Sequence, residues 1–172
     1  MLMEWLGLHF TTELAESGQV ILQCVHDPFL VLLAYLVACA SCFATLDMAE
    51  RINHAQKPAS QRLWRWIGAG CLAGGIWAMH FIGMLAFQAP IDVHYHLPIT
   101  LLSLLIALCA SWLAMRTLSL PTLSLRQCCK ASIIIGLGMA AMHYVGMAAM
   151  RTQATAYYQP GLFILSILIA IG

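Results

Sequence analysis

Two short segments of this sequence share one pattern, and each carries a histidine inside an apolar stretch. The segments span residues 78–85 and 141–148, and both begin Ala-Met-His-aromatic-aliphatic-Gly-Met. Their histidines, His80 and His143, are 63 residues apart. An imidazole is costly inside a membrane-spanning segment and by default marks a functional site there. The repetition therefore predicts one site that is built from two halves.

A methionine follows each histidine by four residues, which places the two side chains on one face of a helix. Thioether and imidazole groups together suit copper, especially Cu(I), and neither segment contains a carboxylate that would favour a hard cation. Met79 and Met142 point about 100° away from the histidines and are second choices. We therefore expect a copper centre with these ligands in order of preference: His80, His143, Met84, Met147, Met79, Met142 and His26.

Several of these residues also have a purely structural interpretation. Each histidine could serve only to form a hydrogen bond to a neighbouring helix. The repetition, the equal depth and the paired methionines favour a bound metal instead. His26 is followed by Asp27, which could instead cap a helix. Tyr144 could hydrogen-bond a ligand or orient His143, and Asp47 is expected at a helix end or in packing. Three further histidines are expected to be solvated: His54, His94 and His96.

The amino-acid composition indicates the class of protein that holds this centre. The chain has 172 residues, of which 62% are hydrophobic and 9% charged. Soluble domains carry about 25% charged residues, so the composition indicates a membrane protein. The net charge of +1 says nothing about nucleic acid, but no basic patch is present, so we expect no nucleic-acid partner. The cysteines lie mostly inside apolar stretches, where they act as small packing residues.

Apolar stretches of about 20 residues are long enough to cross a bilayer. The sequence predicts spans at 28–48, 63–87, 97–116 and 128–150, and a fifth that starts near Pro160. The segment at 102–107 recurs at 165–170 with the same offset as the histidine motifs. We therefore predict an all-α, polytopic transmembrane helix bundle with internal two-helix repeats. The repeats are 27–87, 97–150 and a truncated 159–172, and we expect a longer protein with six spans in three units.

The basic residues predict the orientation of the bundle. Seven of the eight Lys and Arg residues lie in the 49–65 and 116–130 linkers, so these linkers are expected to be cytoplasmic. Residues 1–26 would then be a periplasmic N-terminal segment, either poorly ordered or with a short surface helix over residues 5–10. Both histidines would lie roughly 10 Å below the outer surface. Gly83 and Gly146 would leave room for close helix approach.

With these residues in view, the chain resembles the MHYT domain of bacterial membrane signalling proteins over residues 26–172. The resemblance rests on Met-His-Tyr at 142–144, its echo Met-His-Phe at 79–81, His-Asp-Pro at 26–28 and the repeated span pairs. Two positions depart from the family pattern. Phe81 replaces the motif tyrosine, and Val145 stands where the motif has threonine.

The resemblance implies a sensory input domain in the bacterial cytoplasmic membrane that binds copper and senses O₂, CO, NO or redox state. It also implies a cytoplasmic output domain of the GGDEF or EAL type, which makes or degrades cyclic di-GMP. Neither motif occurs in this chain, so we do not expect it to be an enzyme. Expected partners are the lipid bilayer, the gas, the output domain and a second copy in a homodimer. Two alternatives remain: a b-type haem with His80 and His143 as axial ligands, and a metal transport module.

Overall fold

The computed structural model describes residues 9–10, 25–88, 93–120, 122, 124–151 and 157–171. Within these ranges the chain forms five helices and six two-residue strands, which confirms the predicted all-α bundle. The helices are α1 (Pro28–His54), α2 (Pro58–Ala86), α3 (Leu97–Leu118), α4 (Leu125–Ala149) and α5 (Pro160–Ile171). The strands are β1 (His9–Phe10), β2 (Val25–His26), β3 (Phe87–Gln88), β4 (His94–Tyr95), β5 (Met150–Arg151) and β6 (Tyr157–Tyr158). The surface helix predicted over residues 5–10 lies mostly outside the described residues, and its last two positions form β1.

Helices α1 to α4 are each long and apolar enough to cross a membrane. Several helices extend beyond the predicted spans, and α1 runs to His54 instead of ending near residue 48. A hydropathy pattern marks only the apolar part of a helix, whereas backbone hydrogen bonding continues into the polar part. In α1 that part includes an ion pair between Arg51 Nε and Asp47 Oδ2 at 2.7 Å.

Two helix starts are fixed by side-chain caps. The carboxylate of Asp27 accepts hydrogen bonds from the backbone N–H groups of Phe29 (2.8 Å) and Leu30 (3.3 Å), so Asp27 caps α1. Ser124 and Gln127 form a capping box at the start of α4. Caps of this kind satisfy N–H groups that have no partner inside the helix.

Short strands close each pair of helices at one end of the bundle, which we call the strand end (β2, β3, β4 and β5). Strand β2 pairs with β3 across the α1–α2 hairpin, and β4 pairs with β5 across the α3–α4 hairpin, both antiparallel. Backbone bonds of 2.8 Å from Asp27 N to Ala86 O and from His96 N to Ala149 O reinforce them. The loops between the helices of each hairpin lie at the opposite end, the loop end.

Each hairpin packs on the next, so α2 contacts α3, α4 contacts α5, and α2 also approaches α4. The interfaces consist mainly of small residues and methionines, as is common between membrane helices. One buried cluster joins α1, α2 and α3 through Ala49, Ile52, Ala69 and Met115. A second cluster joins α2, α3 and α4 through Ala73, Ala107 and Met142. Large apolar side chains on α1 are mostly exposed, which suits a helix that faces lipid.

Candidate metal centre

The two motif histidines are in direct contact. Nδ1 of His80 on α2 lies 3.2 Å from Nδ1 of His143 on α4. The ring centroids are 4.8 Å apart, and the rings meet edge to face at 69°. His80 is buried, whereas His143 is exposed on the surface of the bundle. The structure therefore brings one imidazole from each repeat unit into a single pair, which we call the histidine pair (His80 and His143).

The second ring nitrogen of His80 has no hydrogen-bond partner. Nε2 is buried, and no donor or acceptor among the described residues reaches it. It faces the backbone of α4, because a Cβ placed on Gly146 would lie only 2.6 Å from this atom. An unsatisfied buried polar atom costs about 1–3 kcal/mol. The contact with Nε2 is the close helix approach predicted at Gly146. At Gly83, by contrast, an added Cβ would meet nothing within 4 Å among the described residues.

The geometry and chemistry of the histidine pair fit a metal ion. The distance between the two Nδ1 atoms is 3.2 Å, which is shorter than the combined length of two metal–nitrogen bonds of about 2.0–2.1 Å each. One ion could therefore contact both atoms. Among the described residues, no third His, Cys, Asp or Glu joins the pair to form a metal-binding group. Any further protein ligand from these residues would have to be softer, such as a thioether, and this donor set suits copper.

The predicted methionine ligands differ in their surroundings. Met84, Met147 and Met79 are half-buried on the two helices that carry the histidines. Met142 is only 2% exposed and packs in the cluster that joins α2, α3 and α4. This packing accounts for the burial of Met142 without a metal. The ligand roles of all four methionines stay predictions.

The structure does not bring His26 to the histidine pair. His26 is exposed on β2, and its ring packs edge-on against Phe87 with centroids 5.5 Å apart. Phe87 follows His80 by seven residues, which corresponds to roughly 10 Å along a helix. His26 therefore lies closer to the strand end than the pair does, and its role as a ligand stays a prediction. The remaining histidines that the sequence analysis set aside are exposed: His54, His94 and His96.

Aromatic side chains surround the buried histidine. The Phe81 ring packs against His80 (5.1 Å between centroids) and against Trp77 (4.7 Å). Tyr95, on β4 at the strand end, meets Phe81 edge-on at 5.9 Å. Burial raises the pKa of the Tyr95 phenol, so this group is neutral at physiological pH. These three rings, which we call the aromatic cluster (Trp77, Phe81 and Tyr95), place apolar surface next to His80 and extend it toward the strand end.

Tyr144 links the centre to α5. Its ring meets His143 edge-on at 5.0 Å, and its hydroxyl lies 2.8 Å from Ser166 Oγ on α5. The Ser166 hydroxyl donates to Phe163 O at 2.8 Å, so Tyr144 is the donor in the bond between the helices. The hydroxyl therefore fixes the first helix of the third unit. The two roles that the sequence left open for the phenol, a bond to a ligand and orientation of His143, stay predictions.

The preceding units contain an equivalent bond. Trp77 Nε1 on α2 donates to Ser103 Oγ on α3 at 3.1 Å, and Ser103 donates to Thr100 O at 2.7 Å. Ser103 and Ser166 occupy matching positions in the recurring segments 102–107 and 165–170. The sequence analysis missed these two bonds, although the serine shared by both segments was the signal that could have revealed them.

We expect the Tyr144–Ser166 bond to contribute measurably to the packing of α5. A double-mutant cycle with Tyr144→Phe and Ser166→Ala should show a coupling free energy of about 0.6 kcal/mol, the average for hydrogen bonds between membrane helices. The measurement is reversible unfolding of the purified protein in mixed detergent micelles. Tyr35→Phe on the lipid-exposed face of α1 is the matched control and should show no coupling with Ser166→Ala. Equal coupling for both tyrosines would contradict the bond.

The fold and the pair define a class: a helical membrane protein whose first two two-helix units each contribute one histidine to the pair. The chain belongs to the MHYT family. The family model, described as the N-terminal repeat of bacterial signalling proteins, matches residues 74–131 and 136–172. Together with the four helices that are able to span a membrane, this makes the chain a multi-pass membrane protein.

Three relatives show where such chains occur. The cyclic di-GMP phosphodiesterase NbdA of Pseudomonas aeruginosa is 55% identical over 170 residues, which are 99% of this chain and 22% of the relative. The bifunctional diguanylate cyclase/cyclic di-GMP phosphodiesterase MucR of the same organism is 40% identical over 85% of this chain and 21% of its own length. The signalling protein YkoW of Bacillus subtilis is 26% identical over 86% of this chain and 18% of its own length. The chain thus spans about a fifth of these relatives, and no solved structure matches it.

Proposed function

We propose that this chain is a membrane-embedded sensory input domain that binds copper at the histidine pair and senses a diatomic gas or redox state. The observation that carries the proposal is the 3.2 Å contact between imidazoles from two repeat units. The other ring nitrogen of His80, Nε2, faces the backbone of α4, so Nδ1 is the atom that would bind the ion. A site for an ion would explain why two imidazoles meet between membrane-spanning helices.

The protein residues would hold copper and restrict access to it. His80 and His143 supply nitrogen ligands, and Met84 and Met147 are the favoured thioether donors one turn further along each helix. Gly146 keeps the backbone of α4 close to His80, and the aromatic cluster around Phe81 covers His80 toward the strand end. The copper would supply a coordination position or an electron for the sensed species.

The contact between the imidazole rings favours an ion over the haem alternative. Two axial histidines of a haem lie on opposite faces of the macrocycle, with the iron between them. Here the rings meet edge to face with centroids 4.8 Å apart and one Nδ1 directed at the other. A haem would have to separate the rings and rotate both of them, whereas a single ion would need only small adjustments.

The signal would pass from the centre to the loop end of the bundle. The two histidines lie on different hairpins, so a ligand that prefers one arrangement of α2 and α4 would shift the balance between arrangements. Seven of the eight basic residues lie near the loop end, which suits a cytoplasmic location there and a periplasmic strand end. Two of the three relatives, NbdA and MucR, are cyclic di-GMP enzymes, so we propose that the output domain acts on cyclic di-GMP.

Elemental analysis combined with an absorption spectrum of the purified protein tests this function. We expect stoichiometric copper, no Soret band, and a spectral change when CO or NO is added to the reduced protein. A Soret band without copper would replace the proposal with a haem sensor. Copper that crosses proteoliposome membranes containing the protein would replace it with a transporter.

A further inference from the structure

Three arginines from three helices lie near the loop end of the bundle, and we call them the arginine layer: Arg51, Arg65 and Arg116. The contact between α1 and α2 sets the level of the first two. A Cβ added to Gly68 on α2 would lie 3.1 Å from the Cβ of Met48 on α1. Because the helices are antiparallel, a step of three residues along each of them toward the loop end places Arg65 opposite Arg51.

Helix α3 contributes its arginine at nearly the same level. The rings of Trp66 on α2 and Trp112 on α3 are in contact, with centroids 5.8 Å apart. Arg65 lies one residue from Trp66 toward the loop end, and Arg116 lies four residues from Trp112 in the same direction. At about 1.5 Å per residue, the two arginines are within one helical turn of each other along the bundle axis.

Tryptophan rings pack against two of the three arginines. The guanidinium carbon of Arg51 lies 5.3 Å from the centroid of the Trp64 ring. The corresponding distance from Arg116 to Trp112 is 4.9 Å. Such cation–π contacts are attractive, and tryptophan is enriched where membrane helices pass the lipid headgroups. The arginine layer therefore has the composition of a membrane–water boundary.

Arg65 lies between the other two arginines and has no acceptor for its charge. It precedes Gly68 and Ala69 by three and four residues, so it shares the face of α2 that packs on α1 and α3. Its Nε is enclosed by protein, and no described residue forms a hydrogen bond or an ion pair with the guanidinium. A partly buried cation without a partner is unfavourable. Because Nε is enclosed, the terminal nitrogens Nη1 and Nη2 are the atoms that would bind an anion.

The carboxylates of the neighbouring helix leave much of the positive charge unbalanced. Asp47 Oδ2 lies 2.7 Å from Arg51 Nε, so this carboxylate balances Arg51. Glu50 is exposed on α1, and among the described residues it forms no ion pair with Arg65 or Arg116. These two arginines therefore attract an anion at the loop end.

We propose that the arginine layer binds the phosphate group of an anionic phospholipid. A guanidinium can donate two parallel hydrogen bonds to a phosphate, and basic pockets between membrane helices bind anionic headgroups. Large apolar side chains beside the layer are exposed and can contact the acyl chains of the same lipid: Leu63, Ile67 and Leu113. A free anion would gain nothing from this apolar surface. A bound headgroup would join α1, α2 and α3 at the loop end.

The lipid site is separate from the histidine pair and does not depend on copper. Arg65 precedes His80 by 15 residues, which corresponds to about 22 Å along α2. Lipid binding can therefore be measured in metal-free protein, and its outcome leaves the proposed sensor function untouched.

Native mass spectrometry of the purified, metal-free protein counts bound lipids and tests the proposal. The protein is titrated with phosphatidylglycerol and with phosphatidylcholine of identical acyl chains. We expect phosphatidylglycerol to bind about tenfold more tightly, a factor that one or two charged hydrogen bonds supply. Equal affinity for the two lipids would overturn the proposal. So would inorganic phosphate that competes as well as the lipid does, since the site would then be one for a free anion.

A matched pair of variants separates the arginine layer from general attraction between opposite charges. Arg65→Gln should reduce the affinity for phosphatidylglycerol about tenfold. Arg126→Gln removes the same charge from an exposed position at the start of α4 and should leave the affinity nearly unchanged. Equal losses in the two variants would overturn the proposal. If Arg65→Gln does not fold, Arg116→Gln decides, because Arg116 is exposed, and a loss no larger than that of Arg126→Gln overturns the proposal.

Discussion

Replacement of His80 and His143 by alanine together should abolish stoichiometric copper binding by the purified protein. Each substitution removes a nitrogen ligand, and no other His, Cys, Asp or Glu among the described residues forms a metal-binding group with the pair. Loss of partners that only support a metal ligand already reduces affinity 10–100-fold, so we expect loss of the ligands themselves to exceed about 100-fold. The measurement is copper content and affinity of protein purified in detergent.

The control for this prediction is a His54→Ala/His94→Ala double variant. Both control histidines are exposed and lie away from the pair, at the loop end and the strand end respectively. This variant should bind copper like the unmodified protein. Circular dichroism establishes that each variant retains its helices. A folded His80→Ala/His143→Ala variant that still binds one copper would eliminate the histidine pair as the centre.

The Gly146→Ala substitution should disturb the pair without removing either histidine. The new Cβ would lie 2.6 Å from Nε2 and 3.1 Å from Cδ2 of His80, so the ring or α4 must move. Overpacking of a close helix contact costs about 1–3 kcal/mol. We expect a lower free energy of unfolding in metal-free protein, and a copper affinity reduced by at least tenfold.

Gly83 provides a control at the matching position of the first repeat unit. A Cβ on Gly83 meets nothing within 4 Å among the described residues, so Gly83→Ala should have no steric cost. Alanine is favoured over glycine inside a helix by up to about 1 kcal/mol, and this variant should be as stable as the unmodified protein or more stable. Equal losses of stability and copper affinity in the two glycine variants would show that contact with His80 is not the cause.

The features that depend on nearest neighbours in sequence could be predicted well. The spans follow from apolar length, the start of α1 follows from Asp27, and the repeat follows from the recurring motifs. The bundle class and the family follow from the same patterns. Each of these signals is contained in a continuous stretch of sequence, and tertiary packing does not have to be known to interpret it.

The neighbours of each side chain across the bundle could not be predicted in the same way. A helical period tells which residues share a face but not which helix that face meets. Met142 was therefore grouped with the candidate ligands, although it packs in the core. The bond between the Tyr144 hydroxyl and Ser166 on α5 was not predicted for the same reason. The pairing of β2 with β3 was also not predicted, because two-residue strands leave no periodic signal.

The histidine pair has a consequence for how the domain assembles. Each hairpin is closed by contacts between its own helices and strands, whereas His80 and His143 join separate hairpins across 63 residues. Contacts between residues far apart in sequence form late in folding. The entropy of closing the long loop between them is lost before the contact contributes any stability. An ion bound by both rings would stabilise only the joined state, by about 2.7 kcal/mol when free ion exceeds its dissociation constant 100-fold. The ion would then add to the packing of α2 on α3 and α4 that already joins the two hairpins.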